Sequence, residues 1–440
     1  MRATGSRPGR NLVWLPIALG KVRRFAMGVF MRVFRWFVMS AAIWLSAGAG
    51  AAPESGKPGH YLFAWSGAVG DGGEDFIAVV DADPHSAHYG ELITSVASGI
   101  VTQQIHHTEY WMPDSSQLFA NDHMSGDTVV FDLSDPLKPR VRTRFHDLLG
   151  FSHPHSFLRL PNGHVLASFQ FEGHFSHADM IDDPAAKPGV HGGIVEIDED
   201  GHALRAASTA DLRHEGDPLM AYSLLPLPEI DRVLVTNSGM RGLDPNGHTV
   251  QLFRLSDLKL LATEALDPGA GHYGEINPEE ARQGPDGAVY VQTVGCGIER
   301  VSALTADHPV SHLVYQFPGS ACGVPSIVGR FWIQPVRVLH AVVVVDLTAP
   351  GGPKEVSRVA LSGQILPHWS GYDPRTHRIA VSGYNESRFY MLTFDPADGK
   401  VALDRAFHDR SGKPGFDTSA RAWPHGWKGA AEVHGIVFSK

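Results

Sequence analysis

The stretch LFANDHMSGDTVVFDLSDP, residues 118–136, contains the structural unit that the rest of the chain repeats. Two runs of apolar and β-branched residues flank a turn rich in Asn, Asp and Gly, and the second run ends in an acidic turn. This pattern predicts two paired strands with a tight turn at each end. It returns about seven times along the chain, at intervals of roughly 40 to 60 residues, for example in GGIVEIDEDG, AVVVVDLTAP and RFYMLTFDP.

Strand pairs that repeat at this interval predict an all-β fold, a single seven-bladed β-propeller. A pair of β-sandwiches would also give short alternating strands, but the copies run evenly to the end of the chain, which favours the propeller. The last strand, GIVF at residues 435–438, is expected to pair with the first blade and close the ring. Two segments, TADLRHEG at 209–216 and PEEARQ at 278–283, predict single helical turns.

Length and composition restrict the class of protein. A chain of 440 residues is long enough for two or three domains, although one propeller can absorb all of it. Hydrophobic residues at 43% and charged residues at 19% are typical of a folded globular protein. The net charge of -10 offers no basic surface for a nucleic acid partner. Histidine is the exception, with 25 copies.

The first 52 residues differ in composition from the rest. Arginine and lysine residues precede an apolar run at 36–45, and small residues follow at 47–52. This order predicts a signal peptide over residues 1–52, cleaved near Ala51 or Ala52, and a propeller domain over residues 53–440. An uncleaved membrane anchor is the alternative, but the apolar run is shorter than the roughly 20 residues that a span needs. We therefore expect export to a bacterial periplasm and no stable membrane span after cleavage.

Only two cysteines are present, Cys296 and Cys322, which excludes a cysteine-rich zinc site. In an oxidising compartment they are expected to form a disulfide or to be buried thiols rather than reactive ones.

Two pairs of histidines flank the opening stretch, His106 with His107 in IHHTEYW and His153 with His155 in SHPHSF. Neutral imidazole is a common ligand for copper, zinc and iron, so the pairs predict a metal site. Adjacent strand residues point to opposite faces, so His106 and His107 can bind one metal only where the backbone is bulged or has left the strand. His153 and His155 are two residues apart and are expected to lie on the same side of a strand.

Further candidates come from the end of the chain. His368 in ILPHWSG and His434 in AEVHGIVF each enter a predicted strand, which in a propeller means a position near the axis. Glu109 and Glu432 are the candidate catalytic carboxylates, as proton carriers or as groups that orient a ligand. The motifs of serine hydrolases, phosphate-binding loops, dinucleotide-binding folds and zinc proteases are absent from the sequence.

Six segments in this order resemble the selenium-binding protein family: EDFIAVVDADPHSAHYGELI, IHHTEYW, VVFDLSDPLKPRV, PHSFLRLPNGHVLASFQ, GDPLMAYSLLPLPEIDRVLVTNS and AEVHGIVF. The resemblance is strongest over residues 74–170. It implies a seven-bladed propeller with a histidine-bound copper. In the bacterial methanethiol oxidases of that family, this centre oxidises methanethiol with O2 and water to formaldehyde, hydrogen sulfide and hydrogen peroxide.

The resemblance places the metal ligands on His106, His107, His155 and His434. The chain also departs from the family pattern. Tyr89 and Gly90 stand where the family has a cysteine, so selenium binding through that thiol is not expected. A second histidine shortly after the position of His155 is missing, and His153 and His368 are the candidate substitutes.

These observations lead to one leading interpretation and one alternative. The leading interpretation is an exported oxidoreductase, a methanethiol oxidase-like thiol oxidase. Its cofactor would be copper, with zinc or another divalent metal as alternatives, and its partners a small thiol, O2 and an accessory metal-loading protein. The alternative is a periplasmic propeller without catalytic activity that binds a metal or a protein.

Overall fold

The computed structural model describes residues 59–174, 190–239, 247–269, 276–408 and 412–440. The predicted signal peptide, residues 1–52, lies outside the described residues. Short 3-10 helices occur at Leu212–His214, Pro228–Ile230 and Arg337–Leu339, and the first of these falls within TADLRHEG, where one turn was predicted. In the described part of the chain, no helix is both long and apolar enough to cross a membrane.

Seven antiparallel sheets form the blades of a β-propeller, as the repeat predicted. Blade 1 contains β1 (Tyr61–Ala68), β2 (Glu74–Asp81), β3 (Leu92–Val101) and the last strand of the chain, β31 (Ala431–Phe438). Blade 2 contains β4 (Ile105–Thr108), β5 (Gln117–Asp122), β6 (Asp127–Asp132) and β7 (Arg140–Phe145). Blade 3 contains β8 (Phe151–Arg159), β9 (Val165–Glu172), β10 (Gly193–Ile197) and β11 (Ala203–Ser208).

The remaining four blades follow in chain order. Blade 4 contains β12 (Ala221–Leu227), β13 (Arg232–Asn237), β14 (Thr249–Arg254) and β15 (Leu260–Ala265). Blade 5 contains β16 (Pro278–Gln283), β17 (Val289–Thr293), β18 (Gly297–Ser302) and β19 (Val310–Gln316). Blade 6 contains β20 (Ser326–Val328), β21 (Phe331–Val336), β22 (Ala341–Asp346) and β23 (Lys354–Ala360). Blade 7 contains β24 (Leu366–Asp373), β25 (Arg378–Tyr384), β26 (Arg388–Phe394), β27 (Val401–Leu403) and β28 (Phe416–Asp417).

A small two-stranded sheet, β29 (Arg421–Ala422) with β30 (Lys428–Gly429), precedes the last strand. The ring is closed by β31, which pairs with β1 in the register Phe63↔Val437. This confirms that the C-terminal strand completes the N-terminal blade. The innermost strands of neighbouring blades lie against one another, β31 against β4 and β24, and β8 against β4 and β12.

The hydrophobic core lies between the faces of neighbouring blades. Blades 1 and 2, for example, bury Phe63 and Trp65 against Leu118 and Phe131, and all four side chains are at most 1% exposed. The outer strands β7 and β23 alternate between exposed and partly buried residues, as expected for strands with one face in water. The blades therefore pack face to face around the axis, and inner strands such as β4 and β8 are almost wholly buried.

The structure corrects one prediction and completes another. PEEARQ was predicted as a helical turn, but it forms β16, the innermost strand of blade 5. Its residues are good helix formers, and the burial of this strand at the propeller axis overrides that local preference. Cys296 and Cys322 form a disulfide with a Cα–Cα distance of 5.1 Å, which connects the β17–β18 turn of blade 5 to the segment before β20 of blade 6.

Candidate metal centre

Four buried histidines meet at the propeller axis, and we call His106, His107, His155 and His434 the central cluster. They come from three neighbouring inner strands, β4, β8 and β31, and none is more than 3% exposed. The ring centroid of His106 lies 4.1 Å from that of His107, 4.5 Å from that of His155 and 4.6 Å from that of His434. The fold thus brings together side chains that are more than 300 residues apart in sequence.

A bulge in β4 places both adjacent histidines in the same cluster. The pairing of β4 with β5 shifts register between Ile105 and Thr108, so that β4 has one residue more than its partner strand there. A bulge changes the direction in which the side chains point. This is the irregularity that the pair His106 and His107 was predicted to require.

The other inner strands are bulged at the same level. Register shifts occur in β8 after Pro154, in β24 between Pro367 and Trp369, and in β31 where it pairs with Ala64 and Ser66 of β1. In each case the extra residue falls at or beside a histidine, His155, His368 or His434. The histidines are therefore directed by bulges and not by the regular alternation of the strands.

The nitrogen atoms of the central cluster face one another at short distances. His106 Nε2 lies 2.7 Å from His155 Nε2, and His106 Nδ1 lies 3.2 Å from His434 Nε2. His107 Nε2 and His434 Nδ1 are buried and make no hydrogen bond with any described residue. Buried polar atoms are rarely left without a partner, so these two nitrogens indicate room for a ligand. A set of converging imidazole nitrogens fits a copper, zinc, nickel or iron ion.

The protonation state of the cluster suits metal binding. Burial, with the neighbouring histidines as a further cause, lowers the pKa of His106, His107 and His155 well below the ordinary value. Burial, followed by the charge of Arg337, lowers the pKa of His434 to about 3. The imidazoles are therefore neutral at physiological pH, which is the form that binds a metal.

His368 lies beside the central cluster. Its ring centroid is 4.6 Å from that of His434, and its Nδ1 accepts a hydrogen bond of 2.8 Å from the Arg337 guanidinium. Its Nε2 is buried and makes no hydrogen bond with a described residue. His368 is therefore positioned as a neighbour of the four histidines, and Arg337 fixes the orientation of its ring.

His153 adjoins the cluster through His123, whose ring lies 5.6 Å from that of His155. The backbone φ of His153, 57°, lies in the left-handed region, which reorients the strand just before the bulge. Its ring packs against Phe171, at 5.4 Å, and lies 6.1 Å from the ring of His123. The expectation that His153 and His155 share one side holds for a regular strand, and β8 is not regular here.

The two candidate carboxylates lie in different surroundings. Glu109 is buried, and its carboxylate accepts hydrogen bonds from the Arg159 guanidinium, at 2.6 Å, and from the Phe119 N–H, at 3.0 Å. Glu432 is exposed and lines a cavity of about 110 Å³ together with Tyr384 and His434. The structure therefore brings Glu432 close to the central cluster, whereas Glu109 is held by Arg159 between blades 2 and 3.

The opposite side of the axis contains a buried acidic side chain, Glu280, that no sequence motif predicts. Glu280 of β16 accepts hydrogen bonds from Tyr110, from Ser223 at 3.1 Å and from Arg282 at 3.1 Å. Its second oxygen, Oε1, lies 3.8 Å from His107 Nδ1. The inner strands β12 and β16 are also bulged at this level. A carboxylate thus faces the histidines across the axis.

Aromatic rings pack against the central cluster. The ring of Tyr222 lies 3.9 Å from that of His155, and the ring of Trp369 lies 5.4 Å from that of His107. Trp369 in turn stacks on Tyr110, with centroids 5.4 Å apart. All three aromatic side chains are buried. They enclose the histidines in a low-dielectric setting, which explains the lowered pKa values.

The chain is similar to known proteins both in sequence and in structure. No family model matches the chain. A segment of 107 residues is 34% identical to methanethiol oxidase of Hyphomicrobium sp.. The similarity is confined to this segment, which is 23% of this chain and 24% of the relative, so the chain matches about a quarter of the length of that protein.

Two solved structures show the same fold. A hypothetical selenium-binding protein of Sulfolobus tokodaii matches with a TM-score of 0.63 and 16% identity, over 88% of this chain and 94% of that one. The periplasmic gluconolactonase of Pseudomonas aeruginosa matches with a TM-score of 0.56 and 13% identity, over 87% of this chain and 99% of that one. At these identities the likeness establishes the β-propeller and not the reaction.

Proposed function

We propose that this protein is a copper-dependent oxidase of small thiols, methanethiol in particular, with O2 as the oxidant. The observation that carries the proposal is the central cluster, four neutral imidazoles enclosed at the axis beside a small cavity. The sequence similarity to methanethiol oxidase supports the same conclusion. The reaction would convert methanethiol, O2 and water into formaldehyde, hydrogen sulfide and hydrogen peroxide, with the thiol carbon oxidised and O2 reduced by two electrons.

The residues of the cluster fit a metal ion, since ligand nitrogens of His106, His107 and His434 lie within 4.8 Å of one another, and His107 Nε2 and His434 Nδ1 make no hydrogen bond with a described residue. His106, His107, His155 and His434 would hold the ion. Copper would supply the electron transfer between thiol and O2, which zinc, having no redox chemistry, would not.

The surrounding side chains have separate tasks in this proposal. The cavity of about 110 Å³ beside His434 has room for a molecule of only a few non-hydrogen atoms, which would select a small thiol. Tyr384, 3.1 Å from His434 Nε2, would orient that ring at the cavity wall. Glu432, which is exposed at the same cavity, would accept the thiol proton and pass it to solvent.

The second predicted carboxylate has a different role in the proposal. Glu109 is fixed by Arg159, at 2.6 Å, in an ion pair whose carboxylate is 2% exposed. Burial raises the pKa of Glu109, and Arg159 opposes this effect. We assign Glu109 to holding blades 2 and 3 together beside the β4 bulge, and Glu432 to proton transfer.

Export is part of the proposal. Residues 1–52 would be a cleaved signal peptide and residues 53–440 the mature propeller in the periplasm. A buried disulfide between Cys296 and Cys322 is consistent with an oxidising compartment. An accessory protein that loads the metal would act there.

The proposal is tested by metal analysis of the mature protein, purified from a periplasm supplied with both copper and zinc. We expect about one copper per chain at the central cluster. The variants His106→Gln, His155→Gln and His434→Gln should lose it, together with the release of hydrogen sulfide and hydrogen peroxide from methanethiol. His88→Gln is the control, because the His88 side chain is 67% exposed and pairs with Glu91 at the surface.

The other outcomes of the metal analysis decide between the proposed oxidase and the alternative. Absence of stoichiometric metal, or full oxidation by the His155→Gln variant, would contradict the proposal. Stoichiometric metal that depends on the three histidines, with no thiol oxidation, would assign the protein to the alternative, a metal-binding propeller without catalytic activity.

A further inference from the structure

A second group of metal-binding side chains lies at the surface of blades 2 and 3. His146 and Asp147 follow β7, and His174 follows β9, so two separate segments meet there. We call these three residues the rim cluster. Their ligand atoms all lie within 4.8 Å of one another. The side chains of His146, Asp147 and His174 are 35%, 30% and 70% exposed, so a hydrated ion can reach them.

One carboxylate joins the two rings of the rim cluster. The Nδ1 atom of His146 lies 2.5 Å from Oδ1 of Asp147, and the Nδ1 atom of His174 lies 2.5 Å from Oδ2 of the same residue. Both imidazoles therefore face the Asp147 carboxylate with their Nδ1 atoms. Two nitrogens and a carboxylate oxygen are a donor set that copper and zinc accept.

The other nitrogen of His146 fixes its tautomer. Its Nε2 lies 2.7 Å from the carbonyl oxygen of Ser125, and a carbonyl can only accept, so Nε2 carries the proton. In the neutral ring, the lone pair is then on Nδ1, and it faces the Asp147 carboxylate. A histidine whose second nitrogen donates to a backbone carbonyl is the usual arrangement around a bound metal.

The backbone holds the rim cluster in place. Leu148 and Phe151 exchange two hydrogen bonds of 3.0 Å in the turn after Asp147, and the Gly173 N–H donates to the Gly150 carbonyl at 2.7 Å. Gly126, with φ +76°, lies so close that a Cβ there would be 3.0 Å from His146 Nε2. The ligands therefore need little rearrangement to bind an ion.

A row of imidazoles connects the rim cluster to the central cluster. The ring centroids are 6.3 Å apart from His146 to His153, 6.1 Å from His153 to His123, and 5.2 Å from His123 to His106. His153 and His123 are each 1% exposed. The row thus leads from the surface to the buried centre in three steps. Each step is shorter than the spacing of about 10 Å between two packed sheets.

We propose that the rim cluster binds one divalent copper or zinc ion, and that His153 and His123 form its route to the central cluster. The binding part is independent of the proposed oxidase activity, whereas the route rests on the central cluster's binding a metal. An ion would then bind first at the rim cluster, and the blades would not have to separate to admit it.

Binding is tested with zinc alone, on metal-free protein that carries His106→Gln and His155→Gln, so that the central cluster does not contribute. We expect one zinc per chain by equilibrium dialysis, and an affinity about 10-fold or more lower after His146→Gln with His174→Gln. Asp147→Asn is a second variant, which removes the charge at constant size. His202→Gln is the control, because His202 also pairs with a carboxylate, Asp198 at 3.1 Å, and is 76% exposed. Zinc affinity that is unchanged in the rim variants would overturn the proposal.

The route is tested with copper and an otherwise native chain, by stopped-flow measurement of loading into the metal-free protein. We expect the rim variants to load the central cluster about 10-fold more slowly at submicromolar copper, with the final copper content of that cluster unchanged. Equal loading rates, together with lost zinc binding at the rim, would overturn the route. If the central cluster takes up no copper in any variant, the proposed function fails while the zinc experiment still decides the rim site.

Discussion

Replacing Glu280 by glutamine should lower both the stability of the propeller and the metal affinity of the central cluster. Glu280 is 0% exposed and Arg282 is 3% exposed, and the guanidinium donates to the carboxylate at 3.1 Å. The Nε and Nη2 atoms of Arg282 make no hydrogen bond with any described residue. Glutamine keeps the size of the side chain but removes the charge, so the variant leaves Arg282 buried without a counter-charge.

The expected loss can be worked out from this arrangement. Removing one partner of a buried ion pair costs about 3–5 kcal/mol. A domain of roughly 380 residues has an unfolding entropy of about 0.8 kcal/mol/K, so the melting temperature should fall by about 4–6 °C. Glu280 Oε1 also lies 3.8 Å from His107 Nδ1. Loss of such a partner behind a metal-binding histidine lowers metal affinity by about 10–100-fold.

Thermal unfolding of the metal-free protein, followed by circular dichroism at pH 7, measures the first effect, and zinc titration of the central cluster measures the second. Arg282→Met is the matched change, since it removes the charge left behind. In the double variant we expect the melting temperature to recover while the zinc affinity stays low. A melting temperature of Glu280→Gln within about 1 °C of the native value would refute the role given to this pair.

Two further predictions concern blade 5. Burial, with Asp267 as a further cause, raises the pKa of Glu299 to about 8, from 4.5. Between pH 5 and pH 8 the folded protein therefore keeps a proton at Glu299 that the unfolded chain releases, so the contribution of this one group to the free energy of unfolding should fall with rising pH by up to about 1.4 kcal/mol per pH unit. Glu299→Gln should flatten this slope in urea unfolding at the two pH values, and equal slopes in the two proteins would count against the buried carboxyl. Reduction of the disulfide, which spans 26 residues, should lower stability by about 3.5 kcal/mol. Urea midpoints with and without reductant measure this, and Cys296→Ala with Cys322→Ala, insensitive to reductant, is the control.

The sequence predicts the propeller because each blade repeats the same short-range pattern of apolar strands and acidic turns. It also predicts the closure by β31, since the strand GIVF follows the last repeat and can pair with the first blade. A bulge at His106 and His107 follows from strand geometry alone if both histidines are to face one metal. The blade pattern and the bulge depend on neighbours in sequence, and the closure follows from the repeat of that pattern.

Other parts of the site depend on contacts that no local pattern encodes. Glu280, Tyr110 and Arg282 meet only because β4 and β16 face the same axis. The helix-forming composition of PEEARQ even indicated the wrong element. His153 and His155 were grouped by spacing, and both rings lie near His123, at 6.1 Å and 5.6 Å, although φ at His153 is left-handed. In these places backbone irregularity or a long-range contact decides the type of element or the direction of a side chain.

The position of the bulges explains how a repetitive fold makes an asymmetric site. Six inner strands, β4, β8, β12, β16, β24 and β31, each carry one extra residue at the level of the site. Irregular backbone of this kind is costly and persists because the packed blades around it determine its conformation.

The site therefore depends on which residues occupy the bulges. Strands β4, β8, β24 and β31 place histidines there, and β16 places Glu280 across the axis. A cation held by neutral imidazoles would have no counter-charge within its own ligand set. The buried carboxylate, 3.8 Å from His107 Nδ1, supplies one without occupying a ligand position. Arg282 in turn compensates that carboxylate when no ion is bound, so the same ring of bulges can remain folded in both states.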